Sequence, residues 1–169
     1  MSIWDVINAW TEDGDLVVLQ PEFDPPEGGR FVIATKEVQR DLYGSWPDPK
    51  LEARYARARA ILDAFISNSR IAARYPPSKK VEAALALLQP ASEEVWEFRT
   101  SKPGVRVFGR FAEFNVFVAL NIELKENINE DYTKEKEICK RQWRKFFSTS
   151  YKPLSGDKLS DYFDNFHEV

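Results

Sequence analysis

The sequence predicts an α+β domain in which a helical hairpin packs on an antiparallel sheet, with an N-terminal elaboration in front. Three observations carry this. A helical pattern over residues 51–73 is followed, after Pro76-Pro77, by a second over 78–88. Three segments of strand character then follow at short intervals, over 95–100, 105–111 and 115–124. Of the 169 residues, 43% are hydrophobic and 14% aromatic, enough apolar material for one compact core. The chain divides accordingly into an N-terminal elaboration at 1–50, a core at 51–152 and an acidic C-terminal tail at 153–169.

In the first third, Ile3, Trp4, Ile7 and Trp10 fall near helical spacing, and Asp13-Gly14-Asp15 is turn chemistry. Leu16 to Leu19 is a strand candidate, Pro21 through Gly29 a loop, and Phe31 to Thr35 a second strand. Lys36 to Leu42 supplies one or two helical turns, and Gly44, Pro47 and Pro49 forbid a long element before residue 50. In the core, Leu51, Tyr55, Ala58, Leu62, Phe65 and Ile66 share one helix face, leaving Arg54, Arg57 and Arg59 to solvent. Ser78 is placed to cap the second helix, which runs through Val81, Leu85 and Leu88 to Pro90.

Lys102-Pro103-Gly104 and residues 112–114 are short enough for hairpin connections, so the three strands form an antiparallel meander. In its middle strand Val105, Val107, Gly109 and Phe111 alternate with Arg106, Phe108 and Arg110, which puts two arginines on one face. Thr133 is placed to cap a helix through Lys145 that bears Ile138, Trp143 and Phe146 among many charges. In the tail, Leu159, Tyr162, Phe163 and Phe166 offer the contacts to dock a short helix.

Composition excludes several classes. One cysteine, Cys139, rules out an internal disulfide framework, and one histidine, His167, rules out a Cys/His zinc cluster. No cofactor or metal is expected, because the sequence lacks a phosphate-binding glycine loop, a serine elbow and a metal-binding triad. No run approaches the roughly 18 apolar residues of a membrane span, and the opening residues lack a basic segment followed by an apolar stretch. The expectation is a cytoplasmic protein that does not engage membranes.

Net charge is −3 but unevenly placed: −6 over residues 1–50, +2 over 51–95, +4 over 96–152 and −3 over 153–169. A polyanionic partner would therefore meet the middle of the chain, unless the clustering reflects only a solvated surface. Cys139 reads as a small packed residue and His167 as an ordinary tail residue.

The run Val95-Trp96-Glu97-Phe98-Arg99, then Gly104-Val105-Arg106-Val107-Phe108, then Val116-Phe117-Val118-Ala119-Leu120, resembles the RelE/HigB toxin superfamily, in particular its HigB-like, phage-associated branch. There a Trp-Glu-Leu-Arg strand precedes a Tyr-Arg-Val strand. The resemblance covers roughly residues 51–146, with Phe31 to Thr35 as a first strand. It implies a βααβββ-type fold and an endoribonuclease that cuts messenger RNA at the ribosome, neutralised by an antitoxin protein. Arg99 and Arg106 match the family's strand arginines.

Those arginines make independent chemical sense. Attack of a 2′-hydroxyl on phosphorus builds negative charge, which a guanidinium stabilises through paired hydrogen bonds. Arg106 is the first candidate for catalysis, Arg110 lies four residues on along the same strand face, and Arg99 lies on the neighbouring strand. Lys125, Tyr132, Lys140, Arg141 and Arg144 are the RNA-binding candidates: a base at the end of the third strand, a ring for stacking, and a basic helix. Against this, the arginines have Glu97, Glu113 and Glu123 as partners for surface ion pairs. Three features depart from the family: Glu123-Leu124-Lys125-Glu126 stands where a basic pair is usual, the chain is acidic overall, and the acidic N-terminal third is additional. They motivate an alternative, a non-catalytic protein of the same fold that binds a protein partner.

Overall fold

The computed structural model describes residues 1–20, 29–78 and 82–169. In chain order its elements are α1 (Ile3–Asp13), β1 (Leu16–Val18), β2 (Phe31–Thr35), α2 (Lys36–Tyr43), α3 (Pro49–Ile66), β3 (Ile71–Arg74), β4 (Leu85–Leu87), β5 (Trp96–Arg99), β6 (Val105–Glu113), β7 (Val116–Leu124), α4 (Thr133–Phe147) and β8 (Phe166–Glu168). The strands form one mixed sheet in the order β1-β2-β7-β6-β5-β4-β3-β8. The predicted meander β5-β6-β7 is its antiparallel centre, while β2 runs parallel to β7 and β3 runs parallel to both β4 and β8.

Strand alternation sorts side chains into two cores, one on each face of the sheet. Val32, Ala34, Trp96, Phe98, Val107 and Phe111 pack on α2 and α3. Ile33, Phe108, Val118 and Leu120 pack on the other side, against α1 and α4. The fold is therefore α+β, as expected, but the sheet is larger than the meander and draws strands from the first third and from the tail.

The helix boundaries have local causes. Ser2 and Asp5 form a reciprocal capping box at the start of α1, and Gly14 ends it in the left-handed region at φ 82°. Asp48 caps α3, with Pro49 at its first position. At α4 the expected Thr133 cap is replaced by Asp131, whose carboxylate accepts from the Thr133 N–H at 3.1 Å.

The helical hairpin is not formed. The first helix stops at Ile66, where Ser67 closes it and Asn68 turns the chain at φ 63°. Residues 71–74 leave the helical pattern for strand alternation, with Ile71 and Ala73 buried and Ala72 and Arg74 half-buried. In place of the second helix, Leu85–Leu87 is a strand buried along its whole length, while residues 79–81, including Val81, lie outside the described residues. A short apolar run of this kind fits a buried strand as well as a helix, and pairing with β3 and β5 decides it. The expected loop at Pro21 through Gly29 lies outside the described residues except for Gly29.

The tail completes the core. A single 3-10 turn at Leu159–Asp161 takes the place of the expected short helix, and Leu159, Tyr162 and Phe163 are fully buried. Arg30 ties it down: its guanidinium donates to the carbonyls of Phe65, Ser69, Asp164 and Asn165 at 2.8 to 3.0 Å, and stands 4.8 Å from the Phe65 ring centre. Among the described residues no helix is long and apolar enough to cross a membrane.

Candidate functional site

The meander fixes the site. Register places Arg99 of β5 opposite Arg106 of β6, and Glu97 opposite Phe108, so these side chains share the α4 side of the sheet. Two like charges face to face destabilise a strand pair unless a counter-charge lies between them. Glu97 is that counter-charge: its Oε1 lies 2.5 Å from Arg99 Nε and its Oε2 3.8 Å from Arg106 Nε. The Glu97 side chain is 1% exposed. Burial pushes its carboxyl above the usual range, against the opposing pull of Arg99 and Arg106.

Arg106 is held from the turn below it. Its Nη1 donates to the carbonyls of Thr100 at 2.9 Å and Val105 at 3.2 Å. Gly104 makes the room, since a Cβ there would come within 2.7 Å of that nitrogen. Lys125 is fixed through its backbone, whose N–H donates to the Gly104 carbonyl at 3.0 Å. Beside it, Arg54 of α3 grips Glu126 with two bonds of 2.6 and 2.7 Å and also donates to Gly104. The Lys125 ammonium stands 4.9 Å from the centre of the Tyr132 ring.

Two cavities meet on these residues. The first, about 790 Å³, lies between the meander, the start of α4 and the segments at Pro77 and Leu88 to Pro90. The second, about 970 Å³, lies over the ends of β3, β4 and β5. Arg99, Arg106 and Lys125 line both. Lys136 borders the first and donates to the Gln89 carbonyl at 2.7 Å.

Of the residues singled out in the sequence, Arg99, Arg106, Lys125 and Tyr132 are thus brought together. Arg110 is not. It shares the α4 side but is buried beneath the helix, donating to the Glu93 carbonyl at 2.6 Å with its guanidinium 5.8 Å from the Trp143 ring centre. Lys140 lies between Glu93 at 3.0 Å and Glu137 at 2.6 Å. Arg141 and Arg144 are exposed on α4 and border neither cavity.

Sequence reasoning counted Glu97 as one partner in surface ion pairs, yet it is the buried centre of the arginine pair. Its position two residues before Arg99 on the same strand face was the available signal. Glu113 is no partner of Arg110 here: it accepts from the Trp4 indole N–H. Cys139 is wholly buried, its thiol pushed up to about 12 by burial, and His167 is exposed on β8 at the sheet edge. Among the described residues no three His, Cys, Asp or Glu side chains gather as a metal site requires.

Chemically, two guanidinium groups and an ammonium around one opening bind an anion through charge-assisted hydrogen bonds, and Tyr132 offers a ring beside it. In comparisons with known proteins, no family model, no curated protein and no solved structure matches the chain.

Proposed function

We propose that the chain is an endoribonuclease of the RelE/HigB kind that cuts messenger RNA at the ribosome, with Arg99, Arg106 and Lys125 around the scissile phosphate. The convergence of these three cations with Tyr132 on one cavity carries the reading. Of the βααβββ order that the resemblance implies, β2, α3 and the β5-β6-β7 meander have counterparts, whereas α2 precedes α3 where a second helix was expected to follow it and β1, β3, β4 and β8 are additional strands. In the reaction the 2′-hydroxyl gives its proton to solvent water as its oxygen bonds to phosphorus, the bond to the 5′-oxygen breaks, and that oxygen takes a proton from solvent, leaving a 2′,3′-cyclic phosphate and a 5′-hydroxyl. Arg106 and Arg99 stabilise the charge that builds on the phosphoryl oxygens. Arg110 takes no part at the phosphate, since it is committed to the Glu93 carbonyl. An antitoxin would act by covering the cavity mouth.

A second reading has its own support. Glu97 lies between the two arginines, and Glu130 and Asp131 border the same cavity, so part of the cationic field is neutralised from within. That suits a non-catalytic protein that holds a protein partner. Induced expression of the wild type and of Arg106→Ala in a bacterial host, with growth followed and new messenger RNA 5′ ends mapped, separates the two. Growth arrest and new ends in the wild type alone support the nuclease. Intact messages, with a stable protein complex but no ribosome association, reject it for the binding protein.

A further inference from the structure

We infer that the two cavities divide one RNA strand between them, the first taking a base and the second the phosphates that flank it. This rests on the RNA-directed reading above and adds how the substrate lies.

The division follows from what lines each cavity. Around the first, Arg99, Arg106, Lys125 and Lys136 face the acids Glu97, Glu130 and Asp131, so its field is nearly balanced. Its remaining walls are mostly apolar or aromatic, with Pro77, Leu87, Leu88, Pro90 and Tyr132, and the uncharged polar Ser78 and Gln89 complete them. A balanced, flat-walled space with a ring suits a nucleobase, which stacks through its face and offers donors and acceptors at its edge. Glu130 and Asp131 are suited to accept from an exocyclic amino group, which cytosine carries and uracil lacks.

The second cavity is different. Among the described residues, its lining has the cations Arg99, Lys102, Arg106 and Lys125 and one acid, Glu82, with Arg99 also paired to Glu97 from the other side. Its floor is small: the Arg99 N–H donates to the carbonyl of Ala84, whose own N–H donates to that of Ala72, so alanines continue the sheet beside the arginine pair. Among the described residues none of its lining carries a ring, while cations over a shallow floor suit a phosphodiester backbone. Arg99, Arg106 and Lys125 border both spaces, which puts the phosphate next to the bound base at the junction. Lys125, above the Tyr132 ring, links the two halves.

The test uses the full chain and fluorescently labelled 2′-O-methyl trinucleotides, in which the 2′-oxygen is blocked and cleavage cannot occur. The central position is cytosine, uracil or abasic, and anisotropy gives the affinity at several salt concentrations. Cytosine is expected to bind more tightly than uracil, and uracil more tightly than the abasic oligomer. Tyr132→Ala is expected to cost the cytosine oligomer at least about fivefold and the abasic one less than about twofold. Lys102→Ala is expected to weaken all three and to lower the salt slope by about 0.7, one phosphate contact on a single strand. Tyr132→Phe, which keeps the ring, is expected to bind as the wild type does. Equal losses for cytosine and abasic oligomers in Tyr132→Ala, uracil binding as tightly as cytosine, or an unchanged slope in Lys102→Ala would overturn the division. Because these oligomers cannot be cut, the result is independent of the nuclease assay. The expected pattern with intact cellular messages overturns the nuclease alone, and cleavage without the pattern overturns the division alone.

Discussion

Arg99 and Arg106 stand directly opposite each other across β5 and β6, and the buried carboxylate of Glu97 touches the first at 2.5 Å while lying 3.8 Å from the second. The pair is therefore asymmetric. Arg99 neutralises Glu97 by direct contact, whereas Arg106 is held mainly by the carbonyls of Thr100 and Val105. Two chemically identical side chains thus carry unequal shares of the contact with Glu97.

The asymmetry predicts that Arg99→Met destabilises the fold more than Arg106→Met. Removing the closer partner leaves a buried carboxylate with weakened compensation, a loss of about 3 kcal/mol or more. Removing the farther one is expected to cost less than half as much. Urea unfolding of both variants measures the order, and equal losses would show that Glu97 draws on both guanidinium groups alike.

Gly104→Ala isolates geometry from charge. The new Cβ would come within 2.7 Å of Arg106 Nη1, the far end of a flexible side chain, and 3.0 Å of the Thr100 carbonyl oxygen. The guanidinium is expected to swing away at a stability cost of about 1 kcal/mol or less. Oligonucleotide affinity should drop while the melting temperature hardly moves. A large fall in melting temperature would mean that the turn itself cannot accept a side chain.

The Arg54–Glu126 clamp predicts an acid response. Its two hydrogen bonds hold the Glu126 carboxyl well below the ordinary value of 4.5, at about 2. A depressed folded-state value means that the unfolded chain takes up the proton first as pH falls. The clamp's contribution is therefore present above about pH 4.5 and is lost as pH falls through about 2. NMR titration should show Glu126 returning towards 4.5 in Arg54→Met, with Lys125 resonances shifting because the same clamp fixes the Gly104 turn. An unmoved Glu126 titration would show that the backbone, and not Arg54, holds the carboxylate.

How far the sequence revealed this arrangement depends on the length of the signal. The meander was legible because β6 and β7, nine residues each, carry β-branched and aromatic runs joined by short turns with β5 beside them, and with it came Arg99 and Arg106 on neighbouring strands, though not their register. The strands β3 and β4 were not, because four and three residues carry too little periodicity. Ala72 and Leu85 fit either a helix or a strand, and only strand pairing, with β8 for the first and with β3 and β5 for the second, resolves them. Lys125 and Tyr132 were found by position relative to the strands. Arg110 looked equivalent to Arg106 along β6, but the packing of Trp143 above it is a tertiary fact that strand alternation does not contain.

Cys139 is expected to be chemically silent. It sits on the inner face of α4, wholly buried in the core there, with its thiol pushed up to about 12, so the thiolate is scarce at neutral pH. Ellman's reagent should fail to label the native protein and label one thiol per chain in denaturant. Rapid labelling of the native state would show α4 opening from the sheet.

Arg30 offers the most demanding stability prediction. The tail carries Leu159, Tyr162 and Phe163 into the core, and besides a few bonds to Phe111, Asn115 and Glu94 it joins the sheet edge through the three residues of β8. The Arg30 guanidinium joins it to the rest by donating to Asp164 and Asn165 on one side and to Phe65 and Ser69 on the other. Burial brings the guanidinium down to about 10, still far above neutral, so it remains charged while fully enclosed. Arg30→Met keeps much of the apolar stem but takes a donor from four carbonyls, of which those of Phe65 and Asn165 keep a backbone N–H, from Asn68 and Ile71, while those of Ser69 and Asp164 lose the guanidinium that bonds them. With each buried unsatisfied group costing roughly 1–3 kcal/mol, the expected total is at least about 2 kcal/mol. The loss should appear first at the tail: hydrogen exchange at the Ile71 and Val169 amides, which donate to Asn165 and Ala73, should accelerate before exchange in β6 and β7. Exchange rising equally across the whole sheet would instead make Arg30 a part of one indivisible core.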